Sequence, residues 1–227
     1  MSQPGIIQLE ASDGHVLDAY EHHPEGATAA VVIVQEIFGV NAHIRSVVDR
    51  YAEAGYHTIA PATFDRAERG VELDYNAEGI ERGRELATSI GMESALLDVA
   101  AAGAHVAPTG PVGVIGYCFG GSVAWLAAAQ LPVAAAVGYY GGFIPKALDS
   151  VPVAPTMLHF GELDDGIPLD GVAAIQPAHP DVEVHVYEGA GHGFNCDARA
   201  SFDANAAEMA RQLTLRFLAK HLGSPDT

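Results

Sequence analysis

The sequence predicts an α/β fold: a mostly parallel central sheet with helices on both faces and an antiparallel hairpin at its N-terminal edge. Three observations predict it. Short β-branched runs of strand length recur along the chain with helical periodicity between them, the alternation of a parallel sheet covered on both sides. Those runs, such as Val31 to Gln35 (VVIVQ), are continuously apolar, as strands buried on two faces are. The first 25 residues instead carry two weaker runs, Gly5 to Ala11 and Val16 to Tyr20, split by the turn sequence Ser12-Asp13-Gly14, which reads as a hairpin.

Each later element has its own signal. After the strand Val31 to Gln35, Asn41 to Ala54 places Ile44, Val47, Val48 and Tyr51 at helical spacing. Gly55 then stands where a helix end favours glycine, and Tyr56 to Ala60 resumes as a strand stopped by Pro61, completing a βαβ unit. The charged segment Asp65 to Asp74 is expected on the surface, followed by helical material from Ala77 to Ala107 broken near Gly91. Val112 to Tyr117 is the next strand, Gly120 to Leu131 the next helix, and Val133 to Tyr140 and Pro155 to Phe160 two more strands. Glu183 to Tyr187 is the last strand. Ser201 to Leu222 closes as a helix with Leu213, Phe217 and Leu218 on one face.

The chain has 227 residues, no repeat and no Gly/Ser linker, so a single domain over 1–227 is expected. Apolar residues at 49% and charged residues at 18% supply a core and exclude a disordered chain. A net charge of −18 with scattered basic residues argues against nucleic acid and anionic membranes as partners. From Val99 to Pro145 runs a stretch of 47 residues without Asp, Glu, Lys or Arg. Four prolines and several Gly-rich turns divide it into strand- and helix-length pieces, so it reads as buried sheet rather than a membrane span. Two cysteines, Cys118 and Cys196, are too few for a disulfide framework, and the first residues lack the basic and apolar regions of a signal peptide. A cytoplasmic location is the expectation.

The sharpest chemical signal is Gly116-Tyr117-Cys118-Phe119-Gly120-Gly121, between an apolar strand and a helix. It fits the nucleophile elbow GxSxG with cysteine in the serine position. Glycines permit a tight turn that presents Cys118 above the sheet, the helix N-terminus favours thiolate, and the Phe119 N–H becomes one oxyanion donor. The competing reading is a packing turn around an inert thiol. Asp164, in HFGELDD after the strand ending at Phe160, and His192, in GAGHGF after the last strand, complete the order nucleophile, acid, histidine of the α/β-hydrolase triad. Asp165 is the nearest competitor to Asp164, and a surface or capping role competes for any one of 11 histidines. Glu36 puts a carboxylate at the end of a buried strand. It either pairs with a basic group or caps the next helix, or it faces Cys118 and holds its proton; the Ile37 N–H after it is the expected second oxyanion donor.

QEIFGVN (35–41), GYCFGG (116–121), VGYYGG (137–142), HFGELD and AGHGF together resemble the dienelactone hydrolase family, carboxymethylenebutenolidases on the α/β-hydrolase fold. The resemblance spans nearly the whole chain. It implies Cys118 as nucleophile, His192 as base, Asp164 as its orienting acid, and Glu36 as the group that holds the thiol until substrate arrives. It implies a monomer that opens an unsaturated lactone, dienelactone, to maleylacetate without a cofactor. One departure concerns the substrate carboxylate, which the family meets with two arginines, one before the elbow and one four residues after the histidine. Here that fourth position is Cys196; Arg82 or Arg84 is the candidate for the first arginine, and Arg199 lies three residues beyond Cys196. Tyr140 lines the site by resemblance, or is a core aromatic.

Cys196 reads as a small apolar packing residue that would reach Cys118 in a reversible disulfide only if its loop folds back. His22-His23 has no neighbouring ligands at metal spacing, so neither metal nor organic cofactor is expected. The partner is a small lactone or ester. A broad carboxylesterase, a non-catalytic binding protein on this fold and a thiol-redox role for Cys118 are the rivals.

Overall fold

The computed structural model describes residues 3–223. An antiparallel pair opens it, β1 (Gly5–Glu10) and β2 (Val16–His22), registered with Ile7 opposite Ala19. β3 (Ala30–Val34), helix α1 (Ala42–Glu53) and β4 (His57–Pro61) form the first parallel crossover. After the long helix α2 (Ala77–Val106) come β5 (Val112–Tyr117), α3 (Phe119–Gln130) and β6 (Ala135–Tyr139). β7 (Thr156–Gly161), short helices α4 (Leu169–Ala173) and α5 (Ile175–Ala178), β8 (Glu183–Tyr187) and α6 (Ala204–Leu222) complete the chain. The eight strands form one sheet in the order β1-β2-β4-β3-β5-β6-β7-β8, with antiparallel pairing at β1–β2 and β2–β4 and parallel pairing elsewhere.

The expected fold class and edge hairpin are observed, and the differences have local causes. α6 begins at Ala204 because the Asp203 carboxylate accepts from the Asn205 and Ala206 N–H groups, capping a helix that polarity alone would start at Ser201. α2 passes through Gly91 at φ 68°, ψ 166°, a kink that breaks its hydrophobic periodicity. α4 and α5 are too short to leave a periodic signal. The segment Asp65–Asp74 is largely exposed, as expected, yet it is tied down. Asp65 is buried and accepts from the Asp18 and Gly70 N–H groups, while Val71 joins Phe64 and Leu86 in a small satellite core.

Strand alternation assigns the two faces. A side chain at Gly113 of β5 would meet Leu218 and Leu222 of α6, whereas one at Gly116 would run into α3. The Val31–Val34 run is fully buried, because β3 lies inside the sheet between β4 and β5. Among the described residues no helix is long and apolar enough to cross a membrane; the charge-free stretch holds β5, α3 and β6 with the end of α2. Because β3, β5, β7 and β8 run parallel, the loops carrying Glu36, Cys118, Asp164 and His192 all leave from the same edge of the sheet.

Candidate active site

Cys118 occupies the sharp bend between β5 and α3 at φ 55°, ψ −111°. This backbone region disfavours any side chain, at a cost on the order of 1–3 kcal/mol, and persists only where its surroundings enforce it. Here the Cys118 N–H donates to the Tyr139 carbonyl at 3.0 Å and the Gly120 N–H to the Gln35 carbonyl at 3.1 Å. A methyl group on Gly116 would overlap the Gly120 carbonyl, and one on Gly120 the carbonyls of Val34 and Gln35, so the bend is available only with glycine on both sides.

The His192 ring joins two of the other loops. Its Nδ1 lies 2.7 Å from Asp164 Oδ2 and its Nε2 lies 3.2 Å from Cys118 Sγ. A carboxylate only accepts, so Nδ1 carries a proton toward Asp164 and Nε2 is the nitrogen that exchanges a proton with the Cys118 sulfur. Asp164 is buried, with Oδ1 accepting from the Gly166 N–H at 2.9 Å, whereas Asp165 is exposed. Ser201 Oγ donates to the His192 carbonyl at 2.6 Å, and the Tyr140 ring sits 5.2 Å from the imidazole. Burial alone would lower the His192 pKa, but the hydrogen bonds to Asp164 and Cys118 overcome it and raise the group to about 10.

Glu36 is wholly buried, and its partners are Arg199 Nη1 at 3.3 Å from Oε1 and the Tyr75 hydroxyl at 3.2 Å from Oε2. Of the alternatives in the sequence, the carboxylate therefore takes a basic partner, while the contact of Cys118 Sγ is to His192. Arg199 is packed over the rings of Phe38 and Tyr75, 5.5 and 5.9 Å from their centroids. A side chain at Gly193 would overlap its guanidinium, so the glycine after His192 leaves room for that arginine.

Cys118 and His192 open into a cavity of about 340 Å³. Its apolar wall includes Ile37, Ile80, Met92, Phe119, Phe143 and Ile167, and its cations are Arg84 and Arg199. The loop bearing Ile37 is held by α2, where a methyl group on Gly83 would overlap the Ile37 carbonyl.

Arg82 is not brought to this site. It lies exposed, paired with Glu68 and with Glu85 Oε2 at 3.0 Å. Helical phase is the reason: Ile80 and Arg84 share a face four residues apart, and Arg82 projects from the other side. Tyr140 lies beneath the His192 ring, fully buried at φ 38°, with its hydroxyl lacking a hydrogen-bond partner. Cys196 is buried and both cysteines are free. Its thiol is pushed up to about 11 by burial and by Glu36, which makes it a slow partner for disulfide exchange. Sequence reasoning passed over Tyr75, whose hydroxyl reaches Glu36 only because loops distant in sequence converge there.

Residues 17–222 match the model of the dienelactone hydrolase family. The chain is 36% identical over 224 residues to a carboxymethylenebutenolidase of Pseudomonas putida, covering 94% of this chain and 95% of that protein. It is 39% identical over 207 residues to a putative carboxymethylenebutenolidase of a Synechocystis species, covering 82% and 84%. A putative dienelactone hydrolase from Klebsiella pneumoniae superposes with a TM-score of 0.80 at 29% identity, over 95% of this chain and 99% of that one. A dienelactone hydrolase-like promiscuous phosphotriesterase from metagenomic libraries shares the fold, with a TM-score of 0.79 at 20% identity over 98% and 100% of the two chains. This chain belongs to the dienelactone hydrolase family and is a hydrolase of that type on an α/β-hydrolase fold.

Proposed function

We propose that this member of the dienelactone hydrolase family opens a lactone or enol ester bearing a carboxylate, dienelactone to maleylacetate being the model reaction, through a cysteinyl acyl-enzyme. The observation that carries the reading is the unbroken line Asp164–His192–Cys118, at 2.7 and 3.2 Å, ending in a cavity that also holds two arginines.

The Cys118 thiolate attacks the lactone carbonyl while His192 keeps the thiol proton as imidazolium, stabilised by Asp164. The N–H groups of Ile37 and Phe119, both on the cavity wall, receive the developing oxyanion. The intermediate collapses as the ring C–O bond breaks; the departing enol oxygen takes the proton from His192 Nε2, leaving a thioester on Cys118. His192, neutral again, removes a proton from water, whose oxygen attacks the thioester and releases the second carboxylate and the Cys118 thiol. A thiolate leaves as readily as it attacks, so the tetrahedral intermediate goes forward only when the ring oxygen is itself a stable leaving group. Enol lactones and enol esters meet that condition; amides do not.

Arg199 and Arg84 supply the positive potential that an anionic substrate needs in a chain of net charge −18. Because Arg199 also holds Glu36, a substrate carboxylate competes with Glu36 for the guanidinium, and Glu36 released in this way becomes a second acceptor for the thiol proton. One observation favours a second reading, a neutral esterase of the same mechanism: the cavity wall is mostly apolar and the charge of Arg199 is already balanced by Glu36. Hydrolysis of cis- and trans-dienelactone beside a neutral p-nitrophenyl ester, by wild type and Cys118→Ala, separates them. Preference for dienelactone that is lost with Cys118 supports the first reading, cleavage of the neutral ester alone supports the second, and turnover retained in Cys118→Ala overturns both.

A further inference from the structure

Beside the candidate active site lies a cluster that the proposed reaction only partly uses. His43, in the first turn of α1, is almost wholly buried, and its Nδ1 lies 2.9 Å from Asp197 Oδ1. The carboxylate accepts, so in the neutral ring Nδ1 holds the proton and Nε2 presents a lone pair. That Nε2 is buried and has no hydrogen-bond partner. Glu36 and Cys196, each fully buried, stand next to it, and one ligand atom from each of the three residues lies within 4.8 Å of the others.

We propose that Glu36, His43 and Cys196 form a binding site for zinc, and that filling it shuts off turnover at the neighbouring Cys118. Thiolate, imidazole and carboxylate are the donor set that zinc takes from three protein ligands, with one position left open. Ligand atoms around zinc stand roughly 2.0–2.3 Å from the ion and so less than about 4 Å apart, which asks the three side chains to close by about 1 Å. Asp197 on the outer nitrogen of His43 is the carboxylate–histidine–metal arrangement that fixes the tautomer and strengthens the ligand. Charge is balanced as well: Glu36, Asp197 and the Cys196 thiolate face the dication and Arg199.

Binding exchanges one proton. The Cys196 S–H bond breaks, the S–Zn bond forms, the proton leaves to solvent and no electron is transferred. Tyr75 gives up its hydrogen bond to Glu36 Oε2, which becomes the carboxylate ligand while Arg199 keeps Oε1. Held by the ion, Glu36 can neither exchange Arg199 with a substrate carboxylate nor receive the thiol proton. The loss of turnover therefore rests on the reaction proposed above; the site itself does not.

Cobalt(II) titration of Cys118→Ala protein tests the site without the catalytic thiol. A thiolate-to-cobalt charge-transfer band saturating at one equivalent is expected, absent when Cys196→Ser is added, and shifted to roughly 10–100-fold higher cobalt by Asp197→Asn. His43→Gln, which leaves the thiol in place, is expected to weaken binding at least about tenfold and decides the case if the serine variant does not fold. No band in Cys118→Ala protein, or a band unchanged in both Cys196→Ser and His43→Gln, overturns the site. For the switch, zinc is expected to inhibit turnover of a carboxylated lactone by wild type, while His43→Gln retains basal turnover and needs at least about tenfold more zinc. Full turnover by zinc-loaded wild type overturns the switch. If no ester is cleaved by any protein, the proposed reaction fails while the cobalt band still decides the site.

Discussion

Two histidines, His159 buried and His192 half-buried at the cavity, each have both ring nitrogens hydrogen-bonded and behave in opposite ways. His159 on β7 sits in the aromatic core, its Nδ1 2.8 Å from the Tyr187 hydroxyl and its Nε2 3.1 Å from Thr214 Oγ1, which in turn bonds Tyr139. Its pKa is driven well below the ordinary histidine value by burial, then by nearby His185. His192 is half-buried, and its pKa rises to about 10 because a carboxylate and a thiol outweigh desolvation. Hydroxyls satisfy a neutral imidazole; Asp164 stabilises a charged one. Burial makes a histidine inert unless a carboxylate shares the burial, and that difference separates a packed core from a site able to carry a proton.

The largest effect expected from breaking this contrast is chemical. Cys118→Ala leaves His192 with nothing to activate, and steady-state turnover should fall by more than about 10³-fold. Asp164→Asn should cost on the order of 10³- to 10⁴-fold in kcat. The same change moves His192 toward His159: NMR titration should show its pKa falling from about 10, because only the Cys118 sulfur is then left to oppose desolvation. A kcat loss without a fall in that pKa would mean Asp164 acts by some other route.

Arg84→Met should raise KM for a carboxylated lactone by roughly 10-fold or more and leave a neutral ester within about twofold, as expected for the loss of one charged contact. Equal effects on both substrates would place Arg84 outside carboxylate recognition. On the core side, Tyr187→Phe leaves His159 Nδ1 unsatisfied and should cost about 1–3 kcal/mol of stability, read by urea unfolding, with turnover unchanged.

The last contrast is in pH dependence, whose sign differs between the two rings. His192 has a folded pKa above its unfolded value of about 6.5. Its contribution is therefore complete below pH 6.5 and disappears as pH rises toward about 10. His159 has a folded pKa below that value, so its contribution is present above pH 6.5 and is lost as pH falls through the acid side. Urea unfolding from pH 5 to 10 should show that His192→Gln removes the loss of stability on the alkaline side and His159→Gln the loss on the acid side. Slopes of the same sign would break the comparison.

Much of this arrangement was legible in the residues alone. Val112–Tyr117 has the bounds that its apolar run predicts, because a strand that must be buried has little freedom to slip. The bend at Cys118 was legible because only a Gly-x-Cys-x-Gly run between a strand and a helix allows that turn. The positions of Cys118, Asp164 and His192 after β5, β7 and β8 foretold their convergence, since parallel strands all end at one edge. Arg82 and Arg84 could not be separated by composition or order; the choice rests on which face α2 turns toward the Ile37 loop.

The sequence by itself determined what is local: strand burial, the forced bend, the chain order of Cys118, Asp164 and His192, and the family. Tertiary structure alone decided what depends on long-range packing. It seats Arg199 against Glu36, 163 positions away, and stands His43, Glu36 and Cys196 together across three separate segments. The physical reason is that periodicity and turn chemistry act over a few residues, whereas the partner of a buried charge is set by where loops from different strands are packed.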